Sequence, residues 1–310
     1  MNILITGGLG YVGSTLIPTL FNKAEIHNII IYDNISNNNY ELLLSKLNFK
    51  SKVVFVEGNI LDKQTIRNIF QTYKIDTVIH LAAKTITPMN DTGFHEFDQV
   101  NHWGTSILVE IIKEINSVKK IIYLSSFAVY GTYLKSFSEK NIPIPLSNYG
   151  KSKYLAEKEI LERLPDSISK IILRTGVVYG CTLGFSPTTV LNKFIFESHF
   201  FNKIQVFGNG NQKRPFIHIE RLSEVIFNTI INNNLKTEIF NIFDYNVSIK
   251  EITDILLKIN PKLELIYMNR DHEMKSIELS TEESLNNKLN IKAPVTLEQN
   301  IRECLIKFSL

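Results

Sequence analysis

Short apolar runs recur through the first half of the chain, at residues 3–5, 29–32, 53–56, 77–81, 120–124 and 170–173, with helix-like stretches between them. The runs are continuous in apolar residues rather than alternating, which predicts strands covered on both faces; the helical stretches predict the crossovers of a parallel sheet. The expected fold class is α/β, a doubly wound parallel sheet. After Gly180 the pattern changes to loops and helices around short strands at 204–207, 216–219 and 239–242, with a final helix near 297–308. This predicts a smaller α/β substrate lobe. Because residues 219–231 and 239–242 can return to the main sheet, the two parts are expected to interleave. Residues 1–180, with 217–245, form one, and residues 181–216 and 246–310 the other.

A chain of 310 residues is long enough to bury a substantial core as one large domain or two modest ones. Its formal charge of +3, with lysines scattered rather than massed, points away from nucleic acid and from an anionic membrane. Any anionic ligand must be recognised locally. Cys181 and Cys304 supply neither a disulfide framework nor a metal-ligand spacing, so no metal is expected and a reducing cytosol is. No charged n-region with an apolar h-region opens the chain and no run approaches membrane-spanning length, so the protein is expected to be soluble and cytoplasmic.

The chemistry begins at Thr6-Gly7-Gly8-Leu9-Gly10-Tyr11-Val12-Gly13, between the first apolar run and an amphipathic helix. Gly8, Gly10 and Gly13 satisfy Gly-x-Gly-x-x-Gly, which allows a tight turn, close approach of phosphates to the backbone, and a helix packed on its strand. The helix starting near Tyr11 would aim its unpaired N–H groups at the anion. Asp33 ends the next strand twenty residues after Gly13, where a carboxylate accepts from both adenosine ribose hydroxyls and repels a 2′-phosphate. NAD is therefore expected rather than NADP. Further on, Tyr149 and Lys153 are four apart and share a helical face. An ordinary phenol titrates near pH 10, so a base near neutrality needs about 4 kcal/mol of preferential phenolate stabilisation. The ammonium of Lys153 and an oxidised nicotinamide are suited to supply it. Ser126, at the end of the strand 121–124, sits at the carboxyl edge of the sheet, where it is placed to bond a reacting oxygen.

With these residues assembled, the chain resembles the extended short-chain dehydrogenase/reductase family, the NAD-dependent nucleotide-sugar epimerases and dehydratases with a Rossmann sheet. The resemblance runs over nearly the whole length, through the glycine loop, Asp33-Asn34, Gly58-Asn59-Ile60-Leu61-Asp62, His80-Leu81-Ala82-Ala83, Asn101-His102-Trp103-Gly104-Thr105, Ser126, Tyr149 with Lys153, and Arg174 to Gly180. It implies that Gly7, Gly10, Tyr11, Val12, Gly13, Asp33 and Asn34 hold the cofactor and that Asn59 and Ile60 flank the adenine. It further implies that Leu81, Ala82 and Ala83 line the cofactor's middle, that Asn101 supports the sheet and active-site backbone, and that Lys153 also holds the nicotinamide ribose. Ser126, Tyr149 and Lys153 fall on the family's catalytic positions, with Ser126 and Tyr149 meeting substrate. Val206 and Arg214 match the nucleotide-sugar stretch, Arg214 being the arginine that grips the diphosphate.

The departures sharpen the expectation. Asn59 replaces a usual Asp, and Val177 stands where UDP-galactose epimerases carry an Asn. Pro215 and Glu220-Arg221 replace a common Asp and an acidic pair. Phe127-Ala128 stands where 4,6-dehydratases carry Asp-Glu, and neither side chain can do acid/base work. The resemblance therefore implies a nucleotide-sugar epimerase, inverting C4 by transient oxidation and hydride return. Its alternatives are a nucleotide-sugar dehydrogenase or 4-keto-sugar reductase, and a non-catalytic NAD-binding scaffold. A homodimer through the helices following Asn101 and Tyr149 is the family's usual assembly.

Overall fold

The computed structural model describes residues 1–37, 39–45, 52–85, 93–268, 275–281, 288–289 and 291–309; the parts of the expected second lobe at 269–274, 282–287, 290 and 310 lie outside them. In chain order the elements are β1 (Asn2–Thr6), α1 (Tyr11–Phe21), β2 (Asn28–Asp33), α2 (Glu41–Leu44), β3 (Val53–Glu57), α3 (Lys63–Tyr73), β4 (Thr77–His80) and α4 (Phe94–Phe97). A π-helical stretch (Asp98–Trp103) runs into α5 (Gly104–Ile115), followed by β5 (Lys120–Ser126), a single 3-10 turn (Phe127–Val129), β6 (Ser136–Phe137) and α6 (Asn148–Arg163). Then come β7 (Ser169–Thr175), β8 (Val177–Tyr179), α7 (Val190–Phe201), β9 (Lys203–Phe207), β10 (Lys213–His218) and α8 (Ile219–Ile231). The chain continues through β11 (Thr237–Ile242), β12 (Tyr245–Ser248), α9 (Ile249–Ile259), β13 (Glu264–Met268) and β14 (Glu278–Leu279), and a helix here called α10 (Leu297–Phe308).

Seven parallel strands form the main sheet in the order β11-β7-β5-β4-β1-β2-β3. Ile3, Ile5 and Ile29 face α1 and α8 on one side, while Leu4, Ile30 and Val78 face α3, α5 and α6 on the other. This two-sided burial is why the strands read as continuous apolar runs. The chain runs outward from β1 to β3, then returns to lay β4 on β1's other side. The switch point therefore lies beyond the carboxyl ends of β1 and β4, where open α/β sheets bind ligands. Helix α8 packs on α1, and β11 closes the sheet beside β7.

The other strands form three small sheets, β12-β10-β8, β13-β9 and β14-β6. The first two surround a separate core that includes Phe194, Ile204, Phe216, Ile252 and Ile301, while Phe137 and Leu279 of β14-β6 pack with Val129 and Tyr130. Strand β10 begins at Lys213, three residues before the expected start at 216, and ends at His218, where α8 takes over. The reason is local. Pro215 has no N–H to give to a ladder, yet β8 pairs with β10 only from Phe216 onward, so Pro215 occupies an edge on that side while pairing with Asn246 on the other. Among the described residues no helix is long and apolar enough to cross a membrane.

Candidate active site

The glycine turn is built by close approach. Gly7 takes φ +68°, and a Cβ there would lie 2.6 Å from the backbone of Ala82, at the end of the adjacent strand. A Cβ on Gly13 would lie 2.3 Å from the carbonyl oxygen of Gly8. The left-handed residue is thus Gly7, one before the motif's first glycine; Gly8 instead lies against the side chains of Ile31, Ile5 and Ile17. Asp33 pins the turn from β2, its carboxylate accepting from the N–H of Leu9 (3.0 Å) and of Ile35 (2.8 Å). No side chain caps α1, so the first-turn N–H groups, which lack intrahelical acceptors, stay open toward the crevice.

That crevice is a cavity of about 760 Å³, within the size range of small-molecule sites. Gly7, Gly10, Tyr11, Val12 and Gly13 line it at one end, with Leu81 and Ala83, and Ser126, Tyr149 and Lys153 line it as well. The uncapped helix end, the glycine close approaches and the Asp33 carboxylate beside them fit the diphosphate and ribose of a dinucleotide. The hydroxyl of Tyr11 is occupied elsewhere, donating to the carbonyl of Gly180 (2.5 Å) and accepting from Asn192 (3.1 Å).

Helix α6 carries the reactive pair. Ser147 caps it, accepting from the Gly150 N–H, and so places Tyr149 in the first turn. Burial pushes the Tyr149 phenol up to about 12, opposed by its hydrogen bond with Ser126. Lys153 is 2% exposed, and burial pulls its ammonium down to about 7, Glu157 opposing. Its Nζ sits 4.2 Å from the centroid of the Tyr123 ring, within cation–π range. The phenol and ammonium share the expected face without a direct hydrogen bond between them among the described residues. Reaching neutrality from about 12 takes about 7 kcal/mol of preferential phenolate stabilisation, more than the ordinary phenol requires.

A buried relay positions this helix against the sheet. His80, 0% exposed, joins Thr6 (2.6 Å) to Thr105 (2.9 Å), and Thr105 donates to the carbonyl of Asn101. Asn101 accepts from the Lys84 N–H (2.7 Å) and donates to the Lys84 carbonyl (3.0 Å) and to Ser152 (2.9 Å), which donates to the Tyr149 carbonyl. Burial lowers the His80 pKa to about 3, so its ring is neutral. Asn101 therefore supports the backbone around the cavity and does not line it.

Several expected residues stand off the cavity wall, Asp33 among them with each carboxylate oxygen already accepting a main-chain N–H. Asn34 is exposed, its amide oxygen accepting from Ser36 N–H. Asn59 likewise accepts from Leu61 N–H, and Ile60 is a core residue packed on Gly104. Ala82 gives its N–H to Thr6. Val206 is 1% exposed, in the core among the small sheets. Arg214 donates to the carbonyls of Lys213 and Lys275, both at 2.7 Å, and burial lowers its pKa. The structure adds the segment from Gly184 to Val190, which lines the cavity. That segment is strapped to α1 by Ser14 on the Leu183 carbonyl and Thr15 on Thr182, and to α2 by Glu41 on the Gly184 N–H. Its Gly, Ser, Pro and Thr content marks a loop. Nothing in the local pattern shows where such a loop folds.

A profile of the NAD dependent epimerase/dehydratase family matches residues 3–242. The dTDP-D-glucose 4,6-dehydratase of Homo sapiens is 31% identical over 274 residues, 85% of this chain and 76% of that protein. The UDP-glucose 4-epimerase of Yersinia enterocolitica is 31% identical over 269 residues, 78% of this chain and 77% of that one. Among solved structures, the UDP-glucose 4-epimerase of Thermotoga maritima with UDP-glucose superposes with a TM-score of 0.85 at 25% identity, over 100% of this chain and 99% of that chain. The chain belongs to the NAD-dependent epimerase/dehydratase family, enzymes that act on nucleotide sugars.

Proposed function

We propose that the protein is a nucleotide-sugar 4-epimerase. The observation that carries this reading is the make-up of one wall: Ser126, Tyr149 and Lys153 face the same cavity as the glycine turn, while the neighbours Phe127 and Ala128 on that wall carry no acid or base. Expelling water from a sugar needs a group to protonate the leaving hydroxyl and another to take a carbon-bound proton. Tyr149 takes the proton of the sugar's 4-hydroxyl and gives it back, with Ser126 bonding the same oxygen. A bound NAD, held by the glycine turn and Lys153, would supply the hydride acceptor and donor for this exchange. Lys153 sets the electrostatics of the phenol and holds the cofactor's ribose.

Recognition of the diphosphate is assigned to Arg214, a cation with two main-chain acceptors and no carboxylate partner among the described residues. A guanidinium keeps its charge when partly buried and offers a planar fork to phosphate. Residues 181–216 and 246–310 are assigned to the nucleotide sugar, and residues 1–180 with 217–245 to NAD. A homodimer through α5 and α6 is supported by Trp103, 58% exposed just before α5. A cytoplasmic setting is supported by two buried free cysteines. Sedimentation mass tests the dimer.

The functional test is a thermal-shift panel of UDP-, dTDP-, GDP- and CDP-hexoses, followed by product analysis of the sugar that binds. The expected product is the 4-epimer, with no reduced cofactor released. A 4-keto-6-deoxy sugar would contradict the reading in favour of dehydration. Stoichiometric reduced cofactor would favour a dehydrogenase, and NAD binding with no sugar binding a scaffold.

A further inference from the structure

Beneath the reacting groups lies a charged cluster that the proposed function leaves unused. Glu157, 0% exposed, follows Lys153 by one helical turn and Tyr149 by two, so the three share a face of α6. Its carboxylate accepts from Ser125 Oγ (2.5 Å) and from Arg174 through Nε (3.0 Å) and NH2 (2.7 Å). Arg174, 3% exposed, donates onward to the Tyr130 hydroxyl (3.0 Å), which donates to Asn241 (2.8 Å). One carboxylate thus joins α6 to the ends of β5 and β7, the turn after Ser126, and β11.

Two features make this more than an internal brace. Ser125 is the chain neighbour of Ser126, so the bond from Glu157 fixes the end of the strand that delivers Ser126 to Tyr149. The same carboxylate also acts on Lys153, one turn away on the same helix. A buried ion pair is seldom more stabilising than apolar side chains of the same shape, so stability alone is a poor reason for its place here. Resting on the reading of Tyr149 and Lys153 as the catalytic pair, we propose that Glu157 is a positioning residue that keeps an ammonium at Lys153 and holds Ser126 in register with Tyr149.

The groups that face Lys153 are Tyr149 and Glu157 from α6, Tyr123 from β5 and His80 from β4, with Arg174 on β7 behind Glu157. His80 is neutral and Arg174 is held charged by Glu157. Glu157 is therefore the anion that offsets the burial of Lys153.

The test is competitive acetylation of Lys153 by acetic anhydride across pH, on the full ligand-free chain, read by peptide mass spectrometry. In the unaltered protein the midpoint is expected near 7. Glu157→Gln lowers it by about one unit, making Lys153 roughly fivefold more reactive at pH 6, and Glu157→Asp restores part of the shift. Arg174→Gln moves the midpoint up. A brace with no electrostatic role would instead loosen the site in both variants and carry both midpoints toward that of a solvated lysine. An unchanged or raised midpoint in folded Glu157→Gln overturns the proposal. If that variant does not fold, the paired replacement Glu157→Leu with Arg174→Met carries the test: a lowered midpoint supports the proposal, and an unchanged or raised one overturns it. Acetylation needs no sugar, so its outcome is separate from that of the epimerase assay.

Discussion

The main sheet and the small sheets beside it reach the cavity by different rules. In the main sheet Ile3, Leu4, Ile5, Ile29, Ile30 and Ile31 are each 0% exposed, so strands β1 and β2 are covered on both faces. Whatever follows such a strand in sequence is delivered to the carboxyl edge, and Gly7, Leu81 and Ser126 all arrive there. Among the small sheets β9 alternates buried and exposed positions, β10 is paired on one side for only part of its length, and Val206 and Arg214 sit off the wall. The lesson is that a parallel sheet converts chain order into site position. The second region needs long-range pairing to do the same.

The contrast can be sharpened first on the sheet side, where the largest effect is expected. His80 is neutral in the fold, with a pKa of about 3 against 6.5 in the unfolded chain. The unfolded state binds more protons throughout that window. The stabilisation is therefore complete above pH 6.5 and is lost progressively as pH falls toward 3, by up to about 5 kcal/mol. Urea melts at pH 7 and pH 4 should show a steep loss that His80→Asn flattens; equal slopes in the two proteins would contradict the account. Next comes Gly7→Ala, which combines a left-handed backbone with contact against Ala82. It should cost about 3 kcal/mol and abolish NAD binding by calorimetry, whereas unchanged NAD affinity would place the diphosphate elsewhere.

Smaller effects are expected in the second region. Arg214→Ala should raise KM for the nucleotide sugar roughly 10- to 100-fold, the worth of a charge-assisted hydrogen bond, and leave kcat near its original value; an unchanged KM would remove Arg214 from the substrate site. Val206→Ala should cost about 2 kcal/mol of stability through the cavity it leaves. KM should hold, and a large change in KM with little change in melting would instead put Val206 against the ligand.

The same contrast explains what could be read from the chain in advance. Tyr149 and Lys153 were legible because a four-residue spacing on a helix sets a shared face, and α10 was legible because its apolar positions repeat with the helical period. Asp33 was legible because it ends a strand adjoining the glycine turn. The pairing of Glu157 with Arg174 was not, since it joins α6 to β7. The strap at 184–190 owes its place to Ser14, Thr15 and Glu41, about 140 residues or more away in sequence. The positive φ of Gly7 rather than Gly8 follows from how near β4's end comes to β1's, a distance no local motif encodes.

The most direct test of the central claim follows a label through one turnover, using the nucleotide hexose selected by the binding panel with deuterium at C4. If Tyr149 works with a hydride that leaves and returns within one closed site, the 4-epimer will carry the full label at C4 in ordinary water. Label washed into solvent, or found at C6, would contradict the account.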